Sequence, residues 1–429
     1  MTTRNKLRLD RRAAAAILAT ALFVATAVAF QSLQAQTFTV LHTFTAGADG
    51  ATPNAGLIMD RAGNLYGTGS KGGLGYGTVF RLARKGSGWT FTPLYQFQGR
   101  ADGSTPMGAL ALGPDGTLYG STEFGGTFGL NCGLGCGLVF NLKPPPTRPN
   151  SVLSPWNESV LYSFPEDWTT GSFPFSEVTF DVAGNLYGTT YSGGALDDRP
   201  GECNGVNCGG CEPSCGVVYQ LSPSNGGWTQ SVLFRFNSSS GSNPTTGLIL
   251  DSAGNLYGLT SELGYPAGCG SVYELSPGSS GWTEQTLHSF GLSDGGYPWG
   301  SLIRDSAGNI YVGTVGGQCG GDGAVIVVNG GNWGWAYQFA PGEGPTTGLT
   351  MDAAGSLYGA TAKGGTNNAG VVFKLTPSGG GWSYTTLYDF DGFQICKVRG
   401  KLLLDASGNI YGVSDCGVNN YGNVWELTP

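Results

Sequence analysis

The sequence predicts an all-β fold: a seven-bladed β-propeller with four antiparallel strands per blade and a ring closed by the N-terminal strand, which completes the last blade. Three observations support this prediction, namely a motif that recurs seven times, four strand-like segments in each repeat, and a repeat that is divided between the two ends of the chain. Glycine (76 copies) and aromatic residues (12%) are both abundant, which suits short strands joined by tight turns.

The repeated motif has the fullest form Asp-x-Ala-Gly-Asn-Leu-Tyr-Gly. Its copies lie at residues 60–67, 113–120, 181–188, 251–258, 305–313, 352–359 and 405–412. Glycine and asparagine tolerate positive φ, so the centre of the motif predicts a tight turn between two short strands. A fixed period of this kind indicates one structural unit that is used repeatedly.

Two further strand-like segments follow each motif. The third segment is rich in β-branched and aromatic residues, as in residues 77–82, and the fourth usually begins with tryptophan, as in residues 89–97. No helical period of useful length occurs after residue 35. Four antiparallel strands repeated seven times are typical of a propeller.

The two ends of the chain share one repeat. The last repeat supplies three strands and ends at Pro429, whereas residues 37–44 match the fourth-strand pattern. We therefore expect the N-terminal strand to complete the last blade. Closing the ring in this way would protect two sheet edges that a linear array of repeats would leave unpaired.

Residues 1–35 have the pattern of a signal peptide, with basic residues between Arg4 and Arg12, an uncharged apolar run over 13–30, and small residues at two plausible cleavage sites. The alternative is an uncleaved membrane anchor, because the run is close to the minimum length that spans a bilayer. Cleavage would leave residues 36–429 as a single propeller domain that is secreted or periplasmic, monomeric and without membrane contact. The net charge of −8 argues against nucleic acid as a partner.

Ten cysteines in an exported chain predict disulfides. The expected pairs are Cys132–Cys136, Cys203–Cys208, Cys211–Cys215 and Cys396–Cys416, and the pairing of Cys269 and Cys319 stays open. A zinc site formed by Cys203, Cys208, Cys211 and Cys215 is the alternative for the central group. Structural zinc sites usually contain two separated Cys-x2-Cys pairs, and only Cys208 and Cys211 have that spacing. We therefore expect disulfides, and no metal or other cofactor.

The motif, followed by Gly-x-Val-Phe/Tyr-x-Leu, resembles the Gloeo-Verruco (GloVer) tandem repeat of exported bacterial proteins, often called choice-of-anchor tandem repeat proteins. The resemblance extends over nearly all of residues 37–429. It implies a location outside the cytoplasm and often a C-terminal sorting signal, but no established activity. This chain ends at Pro429 without such a signal, which argues against permanent surface attachment.

Strand direction assigns the loops to two faces of the predicted ring. The turn face carries the connections from first to second and from third to fourth strand, and with them the repeated aspartates such as Asp60 and Asp181. Asp and Asn side chains bind the backbone of their own turn, so we expect these residues to be scaffold. The variable face carries the second-to-third and blade-to-blade connections, where the repeats differ. Variable loops on a rigid scaffold are where a binding function is expected.

Candidate ligand-binding residues lie in the loops of the variable face. They are Trp168, Trp299, Tyr191, Tyr297, Glu123 and Glu262. Aromatic rings stack on sugar faces and carboxylates bind hydroxyl groups, so this set suits a glycan, and an envelope protein is the other partner considered. Because Trp168 and Trp299 fall outside the repeated tryptophan register, the alternative is that they seal the loops by packing.

The chain offers little for catalysis. Its two histidines, His42 and His288, occupy the same fourth-strand position, where other repeats have Tyr or Phe, and we expect both to be structural. No nucleophile-elbow, zinc-protease or phosphate-loop motif is present. Glu123, Glu262 and Asp415 remain as a candidate acid and base, since glycoside hydrolysis needs two carboxyl groups. The sequence thus favours non-catalytic binding of a glycan or protein. The alternatives are a carboxylate-dependent polysaccharide-degrading enzyme and a structural component of the cell envelope.

Overall fold

The structure of the protein is a computed structural model. It describes residues 36–86, 88–129, 132–145, 156–194, 215–237, 239–262, 268–291, 294–316, 321–393, 397–417 and 419–429. Over these residues the fold is entirely β, with seven separate antiparallel sheets of four main strands arranged as the blades of a ring. The predicted seven-bladed propeller is confirmed.

Each of the first three blades is built from consecutive strands, with the shortest strand innermost. Blade 1 contains β2 (Ile58–Met59), β3 (Leu65–Gly69), β4 (Thr78–Lys85) and β5 (Gly88–Gln96). Blade 2 contains β6 (Ala111–Leu112), β7 (Leu118–Thr122), β8 (Leu138–Lys143) and β9 (Asn157–Ser163). Blade 3 contains β10 (Thr179–Phe180), β11 (Leu186–Thr190), β12 (Val217–Ser224) and β13 (Gly227–Arg235).

The next three blades repeat this order, and blade 4 has one extra short strand. Blade 4 contains β14 (Ser242–Pro244), β15 (Ile249–Leu250), β16 (Leu256–Glu262), β17 (Ser271–Gly278) and β18 (Gly281–Ser289). Blade 5 contains β19 (Ile303–Arg304), β20 (Ile310–Thr314), β21 (Ala324–Asn329) and β22 (Asn332–Gln338). Blade 6 contains β23 (Thr350–Met351), β24 (Leu357–Ala360), β25 (Val371–Ser378) and β26 (Gly381–Asp389).

Blade 7 joins the two ends of the chain, as predicted. It contains β27 (Val398–Leu404), β28 (Ile410–Ser414), β29 (Asn423–Thr428) and β1 (Thr37–Thr43), in that spatial order. β1 and β29 are antiparallel, and Thr37 lies opposite Thr428. Phe38 of β1 stacks on Tyr388 of blade 6 with ring centroids 4.4 Å apart. The N-terminal strand therefore closes the ring and also packs against the neighbouring blade.

The apolar core lies between the blades. Seven buried clusters are present among the described residues, and each combines side chains of two neighbouring blades. The cluster around Phe44, Leu65 and Tyr411 joins blade 7 to blade 1, so the contact across the junction is of the same kind as the others.

The glycine after the motif tyrosine makes room for an aromatic ring. A Cβ atom built on Gly359 would lie 2.6 Å from Cζ of Phe373, its partner on the adjacent strand. The same close approach recurs between Gly67 and Phe80, Gly120 and Phe140, Gly188 and Tyr219, Gly258 and Tyr273, and Gly412 and Trp425. Blade 5 has a different pair: Val312 takes the place of the glycine, and the residue opposite it is Ile326 instead of an aromatic residue. The small and large residues thus fill one shared volume in each blade.

The motif aspartate holds its own turn together. Oδ1 of Asp60 accepts hydrogen bonds from the backbone N–H groups of Ala62 and Asn64, both at 2.9 Å. Its Oδ2 accepts from the Asn64 amide at 2.7 Å and from the Tyr66 hydroxyl at 3.0 Å. Asp181, Asp251, Asp305, Asp352 and Asp405 make the corresponding bonds to their turn backbone and motif tyrosine. These contacts agree with the scaffold role expected from the sequence.

The aspartate turns should make the protein sensitive to acid. Burial raises the pKa of Asp181, but hydrogen bonds from Asn185, Tyr187 and Ala183 outweigh it and hold the pKa below its usual value of 3.8. The folded state thus favours the carboxylate. This stabilisation is present above the unfolded pKa and is lost as the pH falls through the lower folded value. We expect the free energy of unfolding to decrease as the pH is lowered through about 4.

Asp181→Asn is the variant that tests this expectation. It should cost about 1–3 kcal/mol at neutral pH, because a half-buried network of hydrogen bonds to the carboxylate is broken. Its free energy of unfolding, measured by denaturant titration between neutral and acid pH, should also depend less on pH than that of the parent protein. Asp167→Asn, which changes an exposed carboxyl group on the variable face, is the control. An unchanged pH dependence in Asp181→Asn would contradict the assignment.

The two histidines take a place that tyrosine fills elsewhere. The Nε2 atom of His288 lies 2.8 Å from Oδ2 of Asp294, and that of His42 lies 3.1 Å from Oδ2 of Asp49. In blade 1 the Tyr95 hydroxyl donates to Asp102 at 2.9 Å in the same way. Each pair ties the end of a fourth strand to the following Asp-Gly turn, so the expected structural role of the histidines is supported.

One predicted disulfide is confirmed, between Cys132 and Cys136. Cys269 and Cys416 are each disulfide-bonded as well. The predicted partner of Cys416 is Cys396, which lies outside the described residues together with Cys203, Cys208, Cys211 and Cys319. Cys215 of the central group is described and buried. The predicted pairs Cys203–Cys208 and Cys211–Cys215, and the zinc alternative, each involve residues outside the described ones.

Candidate functional site

A cavity of about 690 Å³ opens on the variable face, and every blade contributes to its wall. Its volume lies within the usual range for small-molecule sites, about 300–1,000 Å³. Because all seven blades line it, the cavity surrounds the axis of the ring. The wall consists mainly of the segments that lead into the innermost strands, with single residues from the ends of the second strands.

One lining position is equivalent in all seven blades and carries a different chemical group in most of them. We call this set the variable ring; it consists of Asn54, Met107, Phe175, Thr245, Trp299, Thr346 and Arg399. In blades 1 to 6 the preceding residue is proline, and in blade 7 it is Val398. The repeat therefore fixes where these side chains lie, while the sequence varies what they are.

The backbone before the variable ring adopts a conformation that L-residues rarely take. The residue two positions earlier has positive φ in six blades: Thr52 (53°), Thr105 (56°), Phe173 (57°), Asn243 (55°), Tyr297 (53°) and Lys397 (50°). Such a conformation costs about 1–2 kcal/mol in a residue other than glycine. The N–H of Thr105 donates to Tyr76 in blade 1, and its carbonyl accepts from Glu123 in its own blade. These two bonds, one to the neighbouring blade and one within the same blade, hold the turn that directs the variable ring into the cavity.

A second set of equivalent positions lies two residues further along each chain segment. This inner ring consists of Gly56, Ala109, Glu177, Gly247, Ser301, Gly348 and Lys401. Most of its members are small because the seven segments crowd together near the axis: a Cβ built on Gly56 would lie 2.9 Å from the Lys401 carbonyl oxygen. Glu177 and Lys401 are the two large members. They carry opposite charges and belong to blades 3 and 7, on opposite sides of the opening.

Aromatic side chains are concentrated on the part of the wall formed by blades 3 and 5. Phe175 and Tyr191 pack edge to face, with ring centroids 5.1 Å apart. Tyr297 and Trp299 follow in blade 5, and Trp299 is 40% exposed. Thr245 and Ser261 of blade 4 place hydroxyl groups between these aromatic residues, and Ser70 of blade 1 adds another elsewhere in the cavity. A ligand here would meet both flat apolar faces and hydrogen-bonding groups.

An ion pair lies in the blade 7 part of the wall. Nε of Arg399 donates to Oδ2 of Asp415 at 2.9 Å, and the two side chains are 34% and 15% exposed. Oδ1 of Asp415 is buried and has no hydrogen-bond partner among the described residues. A buried acceptor without a partner is uncommon in proteins, and a bound ligand is one way to satisfy it.

The structure brings four of the sequence-predicted residues into the cavity wall. These are Tyr191, Tyr297, Trp299 and Asp415. Trp168 lies elsewhere: it packs against Phe173, with ring centroids 6.3 Å apart, in a cluster that includes the Cys132–Cys136 disulfide. That position agrees with the packing alternative for this tryptophan.

Glu123, one of the predicted carboxylates, is not among the described residues of the wall. It directly follows β7 and does not line the cavity. Burial raises the pKa of its carboxyl group to about 7. Glu262 ends β16, where its backbone pairs with Ser242, and its side chain is outside the part of the structure that is described. Ser261, one residue earlier, is the lining residue that corresponds to Tyr191 and Asp415. Of the two candidate catalytic carboxylates whose side chains are described, Glu123 and Asp415, Asp415 lies in the wall.

Sequence reasoning missed Phe175, Glu177, Arg399 and Lys401. The signal for Phe175 was present, because Gly-x-x-Pro recurs in the first six repeats and marks the residue that follows its proline, although Thr170 stands in blade 3 where blades 1 and 2 have aspartate. Arg399 lacked that signal, since valine replaces the proline in the last repeat. The inner ring is visible in the sequence only when the segments before the seven motif aspartates are aligned with one another. One must also know that these positions face the axis of the ring.

The fold and the cavity define the protein as a seven-bladed β-propeller with a ligand-sized central opening on the face where its repeats differ. The chain belongs to the Gloeobacter/Verrucomicrobia repeat family, which it matches over residues 26–199 and 195–425. The resemblance seen in the sequence is thereby confirmed. A comparison with curated proteins found no match.

Solved structures share the fold at low sequence identity. The extracellular domain of a hybrid two component system from B. thetaiotaomicron is 12% identical, with a TM-score of 0.54, and the match covers 91% of this chain and 39% of that one. A Thermus thermophilus oxidoreductase (glucose dehydrogenase) is 13% identical, with a TM-score of 0.43 over 91% of this chain and 99% of that one. The first similarity supports the fold alone. Among the described residues, no helix is long and apolar enough to cross a membrane.

Proposed function

We propose that this protein is a non-catalytic binding protein that works outside the cytoplasm and takes a glycan into the cavity of its variable face. The observation that carries the proposal is the variable ring, seven equivalent positions that all line one cavity yet differ in chemistry. Repeated residues elsewhere in the fold serve the scaffold. Positions that are fixed in space but varied in chemistry are expected where recognition takes place.

The composition of the wall favours a glycan over an apolar ligand. Phe175, Tyr191, Tyr297 and Trp299 offer aromatic surface for the apolar faces of sugar rings. Threonine and serine hydroxyl groups, Asn54 and Asp415 offer donors and acceptors for sugar hydroxyls. A glycan satisfies both kinds of group in the same place, whereas an apolar ligand would leave the polar ones without partners.

Disulfides support the proposed location. The Cys132–Cys136 bond and the disulfide-bonded state of Cys269 and Cys416 suit an oxidising compartment. The signal-peptide pattern of residues 1–35 points the same way.

Trp299→Ala is the variant that tests the proposal. In isothermal titration against a panel of neutral and acidic oligosaccharides, we expect at least one ligand of the parent protein to lose about tenfold or more in affinity, because an aromatic stacking surface is removed. Trp335→Ala is the matched control, since Trp335 lies on the outer strand of the same blade and is equally exposed, at 40%. The proposal fails if no oligosaccharide binds, or if both variants bind like the parent.

A further inference from the structure

We infer that the glycan carries a carboxylate, and that Arg399 and Lys401 of blade 7 bind it, with Lys71 of blade 1 beside them. This inference rests on the proposed function and narrows it to acidic saccharides, such as those that contain uronic acids. Its basis is the unequal distribution of charge around the cavity.

The cavity is more basic than the protein as a whole. Among the residues whose side chains the structure describes, its wall contains three cationic ones, Lys71, Arg399 and Lys401, and two anionic ones, Glu177 and Asp415. The complete chain has a net charge of −8. Positive charge is therefore concentrated at this site, and in a concave opening it acts on a ligand more strongly than on a flat surface.

The positive charges are also grouped on one side. Arg399 and Lys401 belong to blade 7, and Lys71 belongs to blade 1, which is its neighbour. Glu177 lies in blade 3, across the opening, beside the aromatic wall. Neither lysine has an ion-pair partner in the part of the chain that the structure describes. Asp415 also lies in blade 7, but it is paired with Arg399, and the three cations leave blades 7 and 1 with an excess of positive charge. An anionic group would therefore be attracted to blades 7 and 1 and repelled by blade 3.

Arg399 is held ready for a bidentate contact. Asp415 accepts a hydrogen bond from Nε and so fixes the plane of the guanidinium group. The two terminal nitrogens have no hydrogen-bond partner among the described residues. Their parallel N–H groups match the two oxygens of a carboxylate, a geometry that a lysine cannot provide.

Lys401 adds a second positive group closer to the axis. A Cβ built on either of its glycine neighbours in the inner ring, Gly56 or Gly348, would lie 3.2 Å from the Lys401 Cβ. Glycines on both sides leave the lysine without flanking side chains. The aromatic side chains opposite would contact the sugar ring while the carboxylate meets Arg399 and Lys401.

The inference is tested by comparing acidic oligosaccharides with their own carboxyl-reduced forms. Oligomers of galacturonate, glucuronate and mannuronate should include at least one that binds about tenfold or more tightly than the same oligomer with its carboxylates reduced to alcohols, because charge-assisted hydrogen bonds are lost on reduction. Added salt should weaken binding of the acidic form more than that of the reduced form.

Two variants assign the contact to blade 7. Lys401→Met removes the positive charge with little change in side-chain shape. Arg399→Lys keeps the positive charge but removes the two parallel N–H groups of the guanidinium. In both variants Asp415 still has a cationic side chain beside it. Each should weaken binding of the acidic oligomer about tenfold and leave the reduced oligomer unaffected. Lys85→Met, at an exposed residue on the turn face, makes the same change in net charge as Lys401→Met and should affect neither oligomer.

The outcomes separate this inference from the proposed function. If neutral oligosaccharides bind through Trp299 but acidic ones bind no better, the inference is wrong and the proposed function stands. If no saccharide binds, both are wrong. If an oligoglutamate peptide binds as tightly as the acidic oligomer and responds to the same variants, the site recognises anionic protein segments instead, and the saccharide part of the inference is overturned.

Discussion

Removal of β1 (Thr37–Thr43) is expected to prevent the protein from folding to a soluble monomer. The deletion exposes the buried strand β29 as an open edge and removes Phe38 from its stack on Tyr388. A domain is usually stable by only about 5–15 kcal/mol, and one strand of a four-stranded blade with its inter-blade contacts is a large part of that total. Size-exclusion chromatography and circular dichroism of the truncated chain should show aggregated or unfolded protein.

A circular permutant provides the control for this deletion. Because Thr37 lies opposite Thr428, a short linker can join the present ends, and new ends can be placed at Gly281 and Gly278 in blade 4. This permutant retains every strand and only moves the chain break to another blade. It should fold. A truncated protein that remains monomeric and as stable as the parent would show that the ring does not depend on its N-terminal strand.

Gly359→Val is expected to destabilise the protein by about 3 kcal/mol or more. Gly359 lies opposite Phe373, and even a Cβ atom at this position would come within 2.6 Å of the phenyl ring. The blade cannot accept the added methyl groups without displacing the ring or its strand. Urea unfolding of the variant, followed by circular dichroism, measures the change in the free energy of unfolding.

The double variant Gly359→Val/Phe373→Ile should recover most of this loss. It reproduces in blade 6 the pair that blade 5 already contains, Val312 opposite Ile326. We expect an interaction energy of about 1–3 kcal/mol in a double-mutant cycle, since the two residues share one volume. Additive effects of the two substitutions would contradict the idea that the glycine is present to admit the aromatic ring.

The architecture could be predicted from the sequence because seven copies of one repeat show the same pattern of strands and turns. The copies share their turn residues and their aromatic pattern. An irregular residue in one copy therefore does not obscure the pattern that the other copies show. The closing strand was predictable for the same reason, since residues 37–44 match the fourth strand of the other blades. The fold thus rests on local patterns that recur, and these are the features that sequence displays most directly.

The candidate site was predictable only in part. The variable face was correctly separated from the turn face, and Tyr191, Tyr297, Trp299 and Asp415 do lie in the cavity wall. Trp168 lies in a blade-to-blade loop like Trp299, but it comes before the proline that precedes the variable ring, whereas Trp299 directly follows that proline. The ring of Trp168 packs into a neighbouring cluster. The position that faces the cavity is the one after the proline, and that fact comes from the closed ring rather than from the local sequence.

The inner ring shows a second limit. Glu177 and Lys401 occupy positions that are glycine, alanine or serine in the other blades, so they stand out only once the seven segments are superimposed. They lie on opposite sides of the opening, in blades 3 and 7, which are far apart in sequence. Charge asymmetry around a ring is a property of the closed structure and has no counterpart in any single repeat.

Amide hydrogen exchange in the presence of a bound saccharide tests the central claim, that the cavity of the variable face is the binding site. With the oligosaccharide that binds most tightly, protection should increase in the segments that form the wall, at residues 52–56, 105–109, 175–177, 245–247, 299–301, 346–348 and 399–401. Protection confined to the aspartate turns or to the outermost strands would place the ligand elsewhere and contradict the assignment.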